Sequence, residues 1–260
     1  LAKELGVRIE LGQEVSLIAT PNGHATKVIT KQNHEYAADV VVAGADYHHV
    51  DKQLLDQQYQ NYSEQYWQNR TLAPSSLLFY MGINKRLKNL EHHNLFFDED
   101  LAQHAREIYT TPQWPTKPLF YVSMPSKTDP SVAPPGCENL FLLIPVAPGI
   151  EDTPQIRDHY YDVIMERLER LTGQDIRSAV IYKRSYAHAD FISDYHAFKG
   201  NAYGLANTLL QTAFLKPKLK NRHVDNLYYA GQLTTPGPGV PPSLISGQVV
   251  AREIAKKFGP

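Results

Sequence analysis

The chain has 260 residues, 26 Lys+Arg against 27 Asp+Glu, a formal net charge of −1, 42% hydrophobic residues and one cysteine. That balance leaves no electrostatic footprint for nucleic acid, and a lone Cys137 excludes both an intramolecular disulfide framework and a cysteine zinc cage. No stretch reaches the roughly 20 apolar residues of a membrane-spanning helix, because the most apolar run, 140–150, is broken by Pro145, Pro148 and Gly149.

Leu1 to Gly6 reads as the last turn of a helix closed by glycine, with no signal-peptide core behind it. A start of this kind, at Leu1, points to the C-terminal part of a longer protein. Val7–Leu11 alternates as a strand would, and Glu14–Ile18 is a second short apolar run. Pro21-Asn22-Gly23 then turns the chain into Thr26–Thr30, predicting a hairpin. The continuous small and branched run Val40–Ala45 suits a strand buried on both faces, as in a parallel sheet. Gly44 and Asp46 at its end put a loop and a polar group at the carboxyl edge, where ligands bind in open α/β sheets.

From about 50 to 70 the helical spacing is weak. Three β-like runs follow, Ser75–Ile83, Leu119–Met124 and Leu140–Val146, joined by proline-rich linkers, which predicts a separate antiparallel sheet. A helix opens at Thr153 (N-cap) and Pro154 and closes near Gly173. Its expected buried face is Ile156, Tyr160, Val163, Ile164, Leu168 and Leu171, with Glu166 and Arg170 as an exposed pair. Asn226–Ala230 reads as another buried strand ending at Gly231. A final helix begins past Pro241-Pro242, with Ser243 as its cap and Leu244, Gly247, Ala251, Ile254 and Phe258 on one face.

The loop between that strand and that helix, Gly231 to Ser243, holds three glycines and four prolines. Glycine lets backbone approach a ligand closely, and proline fixes that backbone beforehand. A helix N-terminus facing the loop suits a flat ligand with an anionic edge, such as a reduced isoalloxazine. The same composition equally suits a rigid connecting turn.

The run Asn226-Leu-Tyr-Tyr-Ala-Gly-Gln-Leu-Thr-Thr-Pro-Gly-Pro-Gly-Val-Pro-Pro-Ser-Leu-Ile-Ser-Gly247 resembles the C-terminal flavin motif of bacterial-type phytoene desaturases, carotenoid desaturases of the flavin amine-oxidase-like group. Asp190-Phe191 and Phe198–Ala206 are similar to the segment just upstream in that family, and Val40–Asp46 resembles its strand returning to the nucleotide domain. The resemblance implies a mixed α/β fold: the C-terminal part of a Rossmann-like FAD-binding fold with an inserted antiparallel-sheet substrate domain. It divides the chain into residues 1–50 of the FAD-binding domain, 51–189 for substrate, and 190–260 returning to the FAD-binding domain. Gly231, Gly237, Gly239, Val240 and Pro241 are then the cofactor-binding residues, and FAD is the cofactor. The implied reaction is desaturation of a long polyene, phytoene towards lycopene, by a cytoplasmic enzyme docked peripherally on a membrane. Other flavin enzymes of the fold stay open (a carotenoid isomerase, a retinol saturase-like reductase, a desaturase of modified carotenoids), as does a non-catalytic lipid-binding fragment.

Two departures stand out. The chain holds no Gly-x-Gly-x-x-Gly, so the resemblance places the pyrophosphate cradle in a missing N-terminal half and makes this piece a poor holder of FAD by itself. Ala187-His188-Ala189 stands where the family often has Thr-Pro. His188, Asp190, Asp194 and His196 form a dense polar group, with His188 and Asp190 the candidates for acid or base work against the reading of a surface loop. His48-His49 and His92-His93 lack a third ligand at metal spacing, and no metal is expected.

Overall fold

Hydrogen-bonded turns at Leu1–Gly6, with Gly6 at φ +84°, open the computed structural model, which describes residues 1–259. Two compact units share the chain, Leu1–Arg70 together with the segment from Asn207, and Thr71–Ala206.

In the first unit, β1 (Val15–Ala19), β2 (Lys27–Thr30) and β3 (Glu35–Ala37) form an antiparallel sheet in that order. The predicted hairpin is present, with Asn22 at φ 54° and Gly23 at φ 75° making its corner. Residues 7–11 form no strand. They are exposed and pair with no strand among the described residues, and alternation without a ladder partner has nothing to hold it. β4 (Val41–Ala43) comes next; Val41 is buried, but Val42 is 47% exposed, so one face is uncovered where both were expected to be buried. Two short helices follow, α1 (Tyr47–Gln53) and α2 (Glu64–Gln68), capped by Asp46 and Ser63. Asp46 therefore ends the strand as a helix cap, accepting from the His49 N–H.

The second unit is built on one antiparallel sheet of five strands: β5 (Ser75–Ile83), β6 (His93–Phe96), β7 (Phe120–Ser123), β8 (Glu138–Val146) and β9 (Val180–Tyr186), in the order β6-β7-β8-β5-β9. Edge strands β6 and β9 were not legible in the sequence, because β6 is only four residues of mixed polarity and β9 exposes Ile181, Tyr182, Lys183 and Arg184 in succession, so it shows no alternating buried face. α3 (Leu101–Tyr109) is likewise additional. α4 (Pro154–Thr172) has the predicted ends: Thr153 Oγ1 accepts from the Ile156 N–H at 3.3 Å, and Gly173 is left-handed. Tyr160, Ile164 and Leu168 pack into the core with Phe79, Leu142 and Ile144, joined by Met165, whereas Leu171 is largely exposed. Arg170 turns to Asp98, 3.8 Å away, rather than to Glu166. α5 (His188–Tyr195) replaces the expected surface loop.

The chain then returns to the first unit. β10 (Leu227–Tyr229) pairs parallel with β4, Leu227 opposite Val41 and Tyr229 opposite Ala43, and α6 (Val240–Phe258) follows. Asn226, fully buried, locks this pair: its Nδ2 donates to Ala25 O and Asp39 O, and its Oδ1 accepts from the Ala25 N–H.

By compactness the units divide after Arg70 and Ala206, whereas the family resemblance draws its functional boundaries after residues 50 and 189. Residues 51–70 stay in the first unit because Trp67 and Tyr62 pack on Tyr47, which stacks on Tyr229 at 3.8 Å. Residues 190–206 stay in the second because α5 packs on β5 and β9 and Leu205 bridges to Leu72.

Candidate cofactor-binding site

The loop after β10 begins where the Ala230 N–H donates to Ala43 O, the last bond of the parallel ladder. Gly231 then takes φ +112°, and its N–H donates to Ser246 Oγ at 2.8 Å. Thr234 closes a tight turn, with its N–H and its hydroxyl both donating to Gly231 O. A cis peptide joins Thr235 to Pro236, and Gly237 (φ +133°) and Gly239 (φ +107°) follow. No L side chain adopts such φ values without strain, so at these three positions glycine is required by the backbone itself.

α6 starts earlier than expected. Gly239 is its N-cap, Val240 its first residue, and Pro241 and Pro242 lie inside the first turn. Proline fits there because the first-turn N–H groups have no intrahelical partner. The consequence is chemical: two of the usual four N-terminal donors are missing, leaving only the Gly239 and Val240 N–H groups. Ser243, expected as the cap, is already bonded within the helix, its N–H donating to Gly239 O. The buried stripe is Ser246 and Val250, with Ile254 half-buried, rather than the face of Leu244 and Ala251. Ser246 must turn inward to hold Gly231, and that sets the rotation of the helix. Val240 and Leu244 are left 76% and 72% exposed beside the loop.

Against this loop lies Lys216, which the sequence did not mark out because Lys216, Lys218 and Lys220 alternate like a solvated face. Lys216 is 2% exposed, and its Nζ is buried without a hydrogen-bond partner. A Cβ on Gly237 would sit 3.2 Å from Lys216 Cε and 3.4 Å from its Nζ. Burial pushes the Lys216 ammonium below its ordinary range.

In the second unit, His188 and Asp190 take different partners. His188 is buried, its Nε2 bonded to Ala147 O at 2.8 Å and its Nδ1 without a partner, and burial pushes its pKa down. Asp190 caps α5 through the Ala187 N–H and is paired with Arg157 at 2.7 Å, the same guanidinium that grips Asp152. Asp194 bonds Tyr186 Oη, and His196 ends α5 in a left-handed conformation. His48 pairs with Glu64, and His92 and His93 bond Thr128 and Tyr121. Among the described residues no three His, Cys, Asp or Glu side chains converge as a metal site would require.

The family model of flavin-containing amine oxidoreductases matches residues 1–255. The chain belongs to this family. Its cofactor is FAD, and the resemblance to the carotenoid desaturases is borne out by relatives that cover nearly all of the chain. A carotenoid 3,4-desaturase of Haloarcula japonica is 41% identical over 98% of this chain and 51% of its own length. A 4,4'-diaponeurosporene oxygenase of Staphylococcus haemolyticus is 31% identical, and a zeta-carotene-forming phytoene desaturase of Myxococcus xanthus 28%, each over 98% of this chain. The chain spans about half the length of the curated relatives it matches. A solved oxidoreductase of Methanosarcina mazei shares the fold, at a TM-score of 0.60 and 16% identity over 96% of this chain and 51% of that one. In this flavin family, the nearly open space beside Gly231, where a Cβ would meet only Gly44 O at 3.9 Å, and the buried, unpartnered Lys216 Nζ packed on Gly237 fit a flat ring whose edge turns anionic on reduction.

Proposed function

We propose that the chain forms part of an FAD-dependent enzyme that desaturates a long polyene hydrocarbon. In this reading the first unit holds the flavin, with Gly231, Gly237, Gly239, Val240 and Pro241 around it, and Thr71–Ala206 binds the substrate. The observation that carries it is the 41% identity to a carotenoid 3,4-desaturase across nearly the whole chain, and it favours the 3,4 bond of a formed carotenoid over phytoene towards lycopene.

When bound, FAD supplies the acceptor for a hydride from an allylic carbon, while a proton leaves the neighbouring carbon and a conjugated double bond forms. The chain's own residues have to bind and orient a hydrocarbon that offers no charged handle, so apolar burial and shape must do it. An apolar cavity of about 220 Å³ under α3, walled by Leu95, Phe97, Leu101, Ile108, Phe120 and Tyr121, supports this. His104 also lines it, but both ring nitrogens are engaged, by Pro145 O and by the Leu119 N–H. The exposed Leu95, Phe97 and Leu101 at its mouth suit docking on a bilayer surface, and no described helix is long and apolar enough to cross one.

The test supplies the protein expressed from its full natural coding sequence with phytoene, or with a carotenoid saturated at its 3,4 bonds, in liposomes. Products lacking two hydrogens, formed only with liposomes present, are expected. Isomerised product of unchanged mass, product that has gained two hydrogens, or turnover of a small water-soluble amine alone would overturn the reading. Absence of any turnover by flavin-loaded protein would leave a lipid-binding module.

A further inference from the structure

A bare ammonium inside a protein is costly, and such a group is retained when something anionic or electron-rich completes it. Lys216 is in that position: it is buried, its Nζ bonds nothing, and it lies against Gly237, at the centre of the glycine loop. Asn207 Oδ1 lies 3.7 Å from the point a Gly237 Cβ would occupy, so both polar tips pack close against the Gly237 backbone, an approach that a side chain at 237 would crowd. Contacts at Ala213 brace the segment: the Lys216 N–H donates to Ala213 O, and so does Thr235 Oγ1 at 2.9 Å, tying residues 213–216 to the loop. The second observation is what α6 lacks. With Pro241 and Pro242 in its first turn, the helix offers few N–H donors to an electron-rich ligand edge, and the compensating charge has to come from elsewhere.

We propose that Lys216 is the cation that faces the bound flavin ring, supplying the positive charge for the edge on which negative charge gathers when the ring is reduced. This rests on the flavin reading of the loop given above. A fixed cation at that place stabilises the reduced over the oxidised ring, so its removal lowers the midpoint potential.

The test uses FAD-loaded protein from the full coding sequence, with Lys216→Met and Lys216→Arg, titrated against redox dyes. Lys216→Met is expected to lower the ratio of reduced to oxidised flavin at fixed potential about tenfold, a midpoint shift of about 30 mV. Lys216→Arg keeps the wild-type value. In protein stripped of flavin, Lys216→Met raises the melting temperature, because an uncompensated buried charge is gone. A folded Lys216→Met protein that fails to load FAD, while Lys216→Arg loads it, supports the proposal as well. An unchanged midpoint in a loaded Lys216→Met protein overturns it, as does failure of both variants to load; should the Met variant not fold, Lys216→Gln is read the same way. Failure of the wild type to bind FAD would instead sink the flavin reading itself.

Discussion

Ser246 on α6 accepts the N–H of Gly231 at 2.8 Å while its hydroxyl donates to Ser243 O at 2.6 Å, so one buried side chain joins the end of β10 to the first turn of the following helix. The contact holds both ends of the glycine-proline loop at once.

Replacing Ser246 with alanine leaves the Gly231 N–H without its partner. The expected cost is about 1–3 kcal/mol of stability, the usual penalty for an orphaned buried donor. Urea unfolding followed by circular dichroism measures it, and a variant as stable as the wild type would show that the bond does not hold the loop.

Gly239→Val places a branched side chain at φ +107°, with its Cβ 3.4 Å from Pro242 Cδ. Strain of about 1–3 kcal/mol at the helix cap is expected, together with loss of the ring's space. Flavin absorbance per mole of purified, folded protein should fall to background. Full flavin retention by the folded variant would remove this loop from the cofactor site.

Asp190→Asn separates a structural role from a chemical one. The amide still accepts from the Ala187 N–H but loses the charge facing Arg157. Because Asp190 is about one-third exposed, a loss of only about 1 kcal/mol is expected, discounted for solvent screening, with turnover unchanged within about twofold. A drop in turnover of a hundredfold or more at unchanged stability would make Asp190 a catalytic group.

A pH dependence follows from two buried histidines. His104 Nδ1 accepts the Leu119 N–H, so its Nε2 carries the proton donated to Pro145 O, and the ring must be neutral. Burial holds the pKa of both His104 and His188 below the ordinary 6.5. With the folded value depressed, the unfolded chain binds the proton first, so this stability is complete above about pH 6.5 and falls as pH drops towards the folded values. Asp51, raised by burial, contributes in the opposite sense. Thermal melts between about pH 7 and 5 should show the loss, and His104→Gln should make it shallower, leaving the share of His188. An equal slope in that variant would mean that His104 does not titrate in this window.

Local chemistry was enough to read much of this chain. Thr153, Pro154 and Gly173 state the ends of α4, the apolar runs at 75–83 and 140–146 state central strands, and the grouping of Gly231, Gly237 and Gly239 with four prolines states a stiff loop with left-handed backbone, because propensity, capping and φ demands act within a few residues; its flavin reading came from the family resemblance alone. The rest depended on groups far apart in sequence. The alternation at Val7–Leu11 had no ladder partner, and β6 and β9 became strands only by pairing with β7 and β5. Which face of α6 turned inward was decided by Ser246 meeting Gly231, not by its apolar spacing. Nothing in the alternation of Lys216, Lys218 and Lys220 distinguishes Lys216; only the fold lays it against Gly237, because burial and the absence of a partner are properties of a residue's surroundings.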